Sequence, residues 1–291
     1  MKRTSEDLIS EAIDRFDPSH VILAISGGYD SLCMAHYVHE NIKFDKPLLT
    51  YAIDTQMAAD GWREWIDSVA HGFGWKFDIY HNTHGWKQYQ KWVKRFGQPT
   101  TKTGHKRAYA RLKDRAFDAM TKHHKTIRTD RILYLTGIRA EESSARSKLQ
   151  PINGGINKST SYCNPVFYWT NKQILAYRIE HDIPINPFYE TVGGSGDCQC
   201  NWGKFITLRK LQKYSPKLAA GNVAIIDRIS KEYHGYGWDG DIVGQGKIFE
   251  DFEDDGEMCS PFLCEGCSRS KTPKPGLHKA EEQIYEQMEM F

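Results

Sequence analysis

The apolar positions of this chain come in short runs, and each run stops at glycine, proline or a polar residue. Four runs predict β-strands: HVILAI (20–25), PLLTYAI (47–53), WKFDIYH (75–81) and RILYLTGI (131–138). Stretches with helical periodicity lie between or after them, at 30–42, 61–74 and 170–183. Strands that alternate with helices form parallel sheets, so the pattern predicts an α/β fold of Rossmann-like type, a parallel twisted sheet with helices on both faces.

This periodicity fades after about residue 190, where glycine and cysteine become frequent. We therefore expect residues 1–190 to form the α/β domain and residues 191–291 to form an irregular, cysteine-bearing C-terminal appendage. The chain contains no run of about 18 apolar residues, so we expect no membrane span. Its N-terminus is polar and lacks an apolar signal region, which predicts a cytoplasmic protein.

The first predicted strand ends in the turn SGGYDS, residues 26–31. Ligands of open α/β sheets bind outside the carboxyl ends of the strands. Gly27 and Gly28 lack a Cβ atom, so backbone N–H groups can close around an anion at the start of the next helix. The hydroxyls of Ser26 and Ser31 add two more donors. A Gly-Gly turn in which Asp30 caps the helix is the structural alternative.

This turn resembles the S-G-G-x-D-S loop of the PP-loop ATP pyrophosphatase superfamily, whose members bind ATP, release pyrophosphate and adenylate a substrate. The resemblance implies an adenine nucleotide alpha hydrolase-like fold and Mg-ATP as the ligand. It places Asp30 beside the Mg²⁺-triphosphate. Several relatives have lysine where Tyr29 stands, but this position varies within the superfamily.

Three later stretches resemble the phosphoadenosine-phosphosulfate (PAPS) reductase branch of this superfamily. YAIDTQ ends the second strand with Asp54 and Thr55, which the resemblance places beside the adenosine. LTGIRAEESSAR resembles G-x-R-x-x-E-S-x-x-R, and Arg139 and Arg146 in it offer planar, bidentate donors to phosphate or sulfate. NPVFYWTNKQILAYRIEHDIPINPFYETVGGSGDCQC resembles the third motif of the branch. Together the motifs cover residues 20–200.

The resemblance implies a set of site residues. The predicted catalytic residues are Asp30, Arg139 and Arg146. The predicted nucleotide-binding residues are Ser26, Gly27, Gly28, Asp30, Ser31, Asp54, Thr55, Lys106, Arg107, Gly137, Arg139, Glu142 and Ser143. Sulfonucleotide reductases usually have a degenerate first loop, and the assimilatory PAPS reductases end in E-C-G-[IL]-H. Here the loop is complete and that ending is absent, which favours ATP over PAPS.

Seven cysteines in a chain expected to be cytoplasmic indicate metal binding, catalysis or burial more than disulfides. Cys198 and Cys200 form a C-x-C, and Cys264 and Cys267 form a C-x-x-C. Two such pairs suit an iron–sulfur cluster or a tetrahedral zinc ion, and the family resemblance favours a four-iron four-sulfur (4Fe-4S) cluster. Cys259 is an alternative to one member of the second pair, or a free thiol that handles sulfur.

Positive charge is concentrated in residues 87–131, which hold fourteen Lys/Arg against three Asp. A segment of this kind can meet phosphates. Arg107, Arg111 and Arg115 follow the spacing i, i+4, i+8, which predicts one helical face that can follow a nucleic-acid backbone. We expect Lys106 and Arg107 near the nucleotide and the remainder towards an acceptor. A solvated helix face is the alternative.

These features predict an enzyme that binds Mg-ATP, adenylates an acceptor with release of pyrophosphate, and transfers sulfur with the help of an iron–sulfur cluster. The pattern leaves the acceptor open among nucleic acid, a metabolite and a protein, and it leaves room for a separate sulfur-donor protein. One alternative is a sulfonucleotide reductase that uses PAPS or its unphosphorylated analogue. A second alternative is a non-catalytic nucleotide- or nucleic-acid-binding module.

Overall fold

The computed structural model describes residues 3–99, 102–154, 159–200 and 206–239. Within these ranges six strands form one sheet. The strands are β1 (His20–Ile25), β2 (Leu48–Asp54), β3 (Phe77–His81), β4 (Ile132–Thr136), β5 (Ile152–Gly154) and β6 (Thr160–Cys163). The four predicted strands are all present.

Helices connect these strands and continue after the sheet. They are α1 (Ser5–Phe16), α2 (Tyr29–Asn41), α3 (Trp62–Gly72), α4 (Thr83–Phe96), α5 (Lys102–Tyr109), α6 (Arg115–His124), α7 (Asn171–Glu180), α8 (Phe188–Thr191), α9 (Leu208–Tyr214), α10 (Pro216–Leu218) and α11 (Ala224–His234). A π-helical segment, Ala110–Asp114, joins α5 to α6. None of the described helices is both long and apolar enough to cross a membrane.

The strand order is β3-β2-β1-β4-β6-β5. Neighbouring strands are parallel except β5, which runs antiparallel to β6. In chain order, β2 and β3 follow on one side of β1. Strand β4 then pairs with the opposite edge of β1, so the direction of strand addition reverses there. This reversal creates a crevice between the carboxyl ends of β1 and β4, which is where open α/β sheets bind their ligands.

Strand β1 is buried on both faces of the sheet, as its continuous apolar run predicts. Leu23 and Ile25 belong to the larger core cluster, which contains side chains of α1, α2 and α3. Ile22 and Ala24 belong to a second cluster, in which Phe117 of α6 takes part. The two clusters confirm the parallel sheet with helices on both faces.

Several elements differ from the sequence pattern. Strands β5 and β6 were not predicted, because neither contains a continuous apolar run. Helix α5 begins at Lys102, inside the glycine- and proline-containing segment 96–106 that predicts a loop. Helices α9 to α11 follow residue 200, where no periodicity indicated them. The domain boundary at residue 190 stays a prediction.

Candidate functional site

The loop at residues 26–31 lies at the crevice, between β1 and α2. Gly27 has a φ of +84°, and a Cβ atom built on it would lie 2.7 Å from Cζ3 of Trp65. Both the backbone conformation and the close approach of the indole therefore require glycine here. Gly28 is the N-cap residue of α2 and has no side chain with which to cap the helix. The N–H groups of the first turn thus need another acceptor.

Two serine hydroxyls hold the shape of this loop. Ser31 Oγ donates to the carbonyl of Gly28 at 2.8 Å and accepts the N–H of Ser26 at 3.2 Å. Ser26 Oγ accepts the N–H of Gly28 at 3.3 Å. The sequence predicted both hydroxyls as donors to a ligand. In this structure they bind the loop itself, and their part in ligand binding stays a prediction.

The loop backbone is also fixed from outside. The indole Nε1 of Trp62, at the start of α3, donates to the carbonyl of Ser26 at 3.1 Å. The amide Nδ2 of Asn186 donates to the carbonyls of Gly27 at 2.7 Å and Ser195 at 3.1 Å. Asn186 is fully buried. These bonds tie the loop both to α3 and to the segment that carries Cys198.

Gly137 follows β4 and faces the same crevice from the other side. A Cβ atom built on it would lie 2.7 Å from both Cα and N of Ser31. Backbone atoms cannot move aside as a flexible side chain can. Gly137 is therefore glycine because the end of β4 touches the first turn of α2.

Arg139 connects the two sides of the crevice. Its Nε lies 2.9 Å from Oδ1 of Asp30, Nη1 donates to the carbonyl of Trp169 at 3.0 Å, and Nη2 donates to Oδ1 of Asn171 at 2.9 Å. The Arg139 side chain is 5% exposed. Each Nη nitrogen carries a second N–H, which leaves Arg139 able to donate to a phosphate without leaving Asp30.

The carboxyl group of Asp30 has an altered proton affinity. Burial raises its pKa to about 6, against the lowering effect of the neighbouring Arg139 guanidinium. Asp30 thus changes charge close to neutral pH. A carboxylate at the start of α2 is also favoured by the positive end of that helix.

The other residues of the arginine motif bind one another. Glu142 accepts the N–H of Arg139 at 2.8 Å through Oε2 and pairs with the Arg146 guanidinium through Oε1. Ser143 Oγ accepts the N–H of Arg146 at 3.2 Å. Arg146 is buried, so it braces the turn that carries Arg139. The direct phosphate contact expected of Arg146 stays a prediction.

Asp54 and Thr55 end β2, and both are fully buried. Asp54 accepts hydrogen bonds from Gln56 and His81 and pairs with Arg63, whose Nη2 lies 2.8 Å from Oδ2. Thr55 Oγ1 donates to the carbonyl of Asp197 at 2.7 Å. Because Asp54 itself is buried, its partners Arg63 and His81 form part of the solvent-facing surface at this strand end.

The segment 195–200 is held against the strand-end loop that follows β2. The N–H of Ala59 donates to the carbonyl of Gly196, and the N–H of Gln199 donates to the carbonyl of Met57, each at 2.7 Å. Asp197 Oδ2 also pairs with Lys113 Nζ at 2.5 Å, and both side chains are about nine-tenths buried. Cys198 and Cys200 are thereby brought beside the end of β2.

Comparison with known proteins gives the family. Residues 20–208 match the Phosphoadenosine phosphosulfate reductase domain, a stretch that contains the loop, both strand-end motifs and Asn186. The chain belongs to this family.

Short stretches of this PAPS reductase-family chain are similar to two named reductases. It is 32% identical over 57 residues to Phosphoadenosine 5′-phosphosulfate reductase of Gloeobacter violaceus, which is 20% of this chain and 24% of that protein. It is 31% identical over 61 residues to Adenosine 5′-phosphosulfate reductase of Salinibacter ruber, which is 21% of this chain and 24% of that protein. The matches thus span about a quarter of each relative.

A solved structure of a similar protein is also known. PAPS reductase from Candida auris, in a phosphate complex, is 19% identical to this chain, with a TM-score of 0.46. The match covers 65% of this chain and 85% of that protein.

The cysteines of this PAPS reductase-family chain fall into two groups. Cys33 and Cys163, whose apolar neighbours predict core positions, are buried, and burial raises the pKa of both thiols. Cys200 is buried and Cys198 is partly exposed beside the β2 end. Cys259, Cys264 and Cys267 lie outside the described residues.

The described cysteines supply two of the four predicted cluster ligands. Within residues 3–99, 102–154, 159–200 and 206–239, no three histidine, cysteine, aspartate or glutamate side chains gather as a metal site. The iron–sulfur cluster, and zinc as its alternative, therefore stay predictions.

The basic residues lie along α5, the π-helical segment and α6. The Nη1 of Arg111 donates to the carbonyl of Arg107 at 2.7 Å. Burial and the positive charges of Arg115 and Arg107 lower the pKa of Arg111, so Arg111 lies within the field of both neighbouring guanidiniums. Lys106 and Arg107 are half-buried on α5. Their predicted contact with the nucleotide stays a prediction.

The aromatic residues of α4 pack into the protein. The helical spacing of Trp86, Tyr89 and Trp92 in the sequence predicts a core-facing stripe, with a platform for stacking bases as the alternative. All three side chains are buried. The first interpretation is confirmed.

Sequence reasoning missed three residues that the structure places at the strand ends. Lys113 and Asp197 form a buried ion pair, but Lys113 is one of many bases in its segment and gives no separate signal. His81 lies at the end of β3 and received no role. The rule that strand ends carry the ligand site, applied to β3 as it was to β1, β2 and β4, would have found it.

Proposed function

We propose that this chain binds Mg-ATP in the crevice between β1 and β4 and adenylates an acceptor with release of pyrophosphate. The observation that carries this proposal is the start of α2. There, an N-terminus without a side-chain cap follows two glycines at the reversal of strand order, in a chain of the PAPS reductase domain family. Helix N-termini of this kind bind phosphate through backbone N–H groups and the helix dipole.

The residues around this loop suit the phosphates and the Mg²⁺ of Mg-ATP. The first-turn N–H groups of α2 face the phosphates, and Arg139 supplies positive charge from the β4 side. The Asp30 carboxylate is the group that would bind the Mg²⁺ of Mg-ATP. Catalysis then consists of positioning and charge stabilisation, as is usual for transfer at phosphorus.

A second candidate function is sulfonucleotide reduction. It is favoured by the two named relatives, which are reductases of PAPS and of adenosine 5′-phosphosulfate. The complete loop argues for ATP, because a triphosphate provides more oxygens for the N–H groups of α2 than a phosphosulfate does. Binding therefore separates the two functions before any product is measured.

The direct test measures pyrophosphate released from Mg-ATP by protein purified without oxygen. We expect release by the natural chain and none by Asp30→Asn, which keeps the shape of the side chain and removes its charge. Glu64→Gln is the matched control, because Glu64 is an exposed acid in the first turn of α3. Tight binding of PAPS with no pyrophosphate from ATP would establish the reductase function, and nucleotide binding without turnover would establish a binding module.

The raised pKa of Asp30 predicts how Mg-ATP binding depends on pH. Below about pH 6 the carboxyl group is protonated and cannot bind Mg²⁺. Affinity should therefore be full above pH 7 and should fall as the pH is lowered through 6. Calorimetric titration of Mg-ATP between pH 5 and 8 measures this, and Asp30→Asn should show weak binding at every pH. A natural chain whose affinity does not change over this range would contradict the assignment.

The proposal also includes sulfur transfer at a cysteine-bound iron–sulfur cluster. It is supported by the bonds that hold segment 195–200, and with it Cys198, beside the β2 end. Protein purified without oxygen should contain about four iron atoms and about four acid-labile sulfides per chain, as a 4Fe-4S cluster requires. Cys198→Ser should lower the iron content, whereas Cys163→Ser, in the core, should not. Stoichiometric zinc without iron would replace the cluster by a structural metal site.

The acceptor is the remaining unknown, and the basic helices favour a nucleic acid. Arg111, whose pKa is lowered by burial and by the charges of Arg115 and Arg107, is stabilised when phosphates approach it. If added DNA or RNA stimulates the release of pyrophosphate, that nucleic acid is identified as the acceptor class. A sulfur-donor protein would be a further partner, recognised by its ability to support product formation.

A further inference from the structure

The carboxyl ends of β2 and β3 hold an aspartate–histidine pair. Asp54 and His81 face each other in the strand register. Nδ1 of His81 lies 2.9 Å from Oδ2 of Asp54. A carboxylate accepts hydrogen bonds, so the proton of the neutral imidazole is on Nδ1 and the lone pair is on Nε2.

The carboxylate of Asp54 is held in one orientation against this imidazole. Its side chain is fully buried, and Oδ1 accepts the N–H of Gln56 at 2.9 Å. Oδ2 accepts Nε2 of Gln56 at 2.7 Å and faces Nη2 of Arg63 at 2.8 Å. The carboxylate cannot turn without losing these bonds. The guanidinium of Arg63 pairs with the same carboxylate and compensates its charge.

The imidazole itself is accessible. The side chain of His81 is 58% exposed, whereas that of Asp54 is 0% exposed. In the part of the chain that the structure describes, no hydrogen bond occupies Nε2. A buried carboxylate therefore holds Nδ1 of an exposed imidazole at the ligand-binding edge of the sheet.

His81 lies at the edge of the sheet that carries the loop at 26–31, close to the basic segment. Strand β3 is two strands away from β1, which is about 10 Å at the usual strand spacing of about 4.8 Å. The next residue, Asn82, donates through Nδ2 to the carbonyls of Arg111 at 3.0 Å and Leu112 at 2.8 Å. His81 thus lies at the same edge of the sheet as the loop at 26–31 and next to a residue that contacts the basic segment.

We propose that His81 is the general base of this site and that Asp54 is its positioning residue. The inference rests on the proposed adenylation. The acceptor X–H attacks the α-phosphorus of ATP, an X–P bond forms, and the P–O bond to pyrophosphate breaks. The proton of X–H passes to Nε2 of His81 and then to solvent, and pyrophosphate leaves with Mg²⁺. Atoms and charge balance with no further reactant.

The chain contains a matched control. His71 on α3 also pairs with an aspartate, because its Nδ1 lies 3.3 Å from Oδ2 of Asp67. That pair is exposed, with His71 at 74% and Asp67 at 51%. It lies at the far end of α3, away from the strand ends. His71→Gln therefore removes an aspartate-paired histidine without touching the crevice.

The first experiment measures pyrophosphate formation from Mg-ATP with water as the acceptor. His81→Ala should lower kcat about 10²- to 10⁴-fold, the usual contribution of a general base, with little change in KM. Added imidazole should restore part of the lost rate, because it fills the space and takes the proton. His71→Gln should behave as the natural chain. An unchanged kcat in His81→Ala, or a loss confined to KM, would overturn the inference.

The second experiment does not depend on turnover. Diethyl pyrocarbonate modifies unprotonated imidazole, and mass spectrometry locates each modified histidine in the full chain. His81 should react, and a non-cleavable ATP analogue with α,β-methylene should protect it while His71 stays reactive. In Asp54→Asn, where the amide can donate to Nδ1 and place the proton on Nε2, the reaction at His81 should be lost and that at His71 kept.

The two experiments separate the two proposals. If the natural chain forms no pyrophosphate, the proposed function is wrong, whatever His81 does. If pyrophosphate forms normally and the analogue leaves His81 fully reactive, adenylation stands and the assignment of His81 as its base is wrong.

Discussion

Replacement of Gly137 by alanine is expected to abolish nucleotide binding and to destabilise the fold. The new Cβ atom would lie 2.7 Å from backbone atoms of Ser31, so the end of β4 and the first turn of α2 must separate. Overpacking of this kind costs about 1–3 kcal/mol, and more where only backbone can move. The same separation displaces Arg139 from Asp30. Urea unfolding measures the loss of stability, and calorimetric titration with Mg-ATP measures the loss of binding.

Gly72→Ala is the control for this variant. Gly72 is the last residue of α3, and a Cβ atom there would meet nothing within 4 Å. Alanine is also the better helix former, so stability should stay equal or rise slightly. If Gly137→Ala bound Mg-ATP as the natural chain does, the contact between β4 and α2 would not be what shapes the phosphate loop.

Replacement of Lys113 by methionine is expected to cost about 3–5 kcal/mol in the free energy of unfolding. The ion pair with Asp197 is buried, so removal of Lys113 leaves a carboxylate without its opposite charge in a site that excludes water. Much of this cost should be recovered in the double variant Lys113→Met/Asp197→Asn, because no charge is then left alone. Urea unfolding of the natural chain, Lys113→Met, Asp197→Asn and the double variant completes a double-mutant cycle.

An ion pair with an exposed lysine provides the comparison for Lys113. Lys231 and Asp227 lie at i, i+4 on α11 with a separation of 2.7 Å, and the Lys231 side chain is 60% exposed. Lys231→Met should change stability by no more than about 0.5 kcal/mol. A Lys113→Met variant that lost as little would show that Asp197 finds another partner.

The local features of the sequence were sufficient to predict the position of the loop at residues 26–31 and the strands around it. A continuous apolar run predicts a strand buried on both faces, and β1 is such a strand. Two glycines before a helix predict an anion site at the strand end, and the structure places them at the reversal of strand order. Gly137 was found through its motif, although the motif does not reveal that contact with Ser31 is what demands glycine.

The remaining features depend on contacts between residues far apart in the chain. Lys113 and Asp197 are 84 residues apart, and Asn186 binds the carbonyl of a residue 159 positions earlier. Contacts between residues so far apart produce no periodicity or spacing that can be recognised in the sequence. The pair of Asp54 and His81 depends on strand register, which follows from packing and not from the order of residues. Strand β6 has four residues and no apolar run, so its place in the sheet comes from its neighbour β4.

The strand order also sets the moment in synthesis at which the chain can first hold a nucleotide. The loop at 26–31 leaves the ribosome early, with β2 and β3 close behind. Strand β4 pairs with β1, with Ile132 opposite His20, and it is synthesised only after α5 and α6. Until then β1 has an open edge and Asp30 has no Arg139. The loop is thus made long before the crevice exists, and on the proposed function a bound nucleotide stabilises the closing of the sheet and not its beginning.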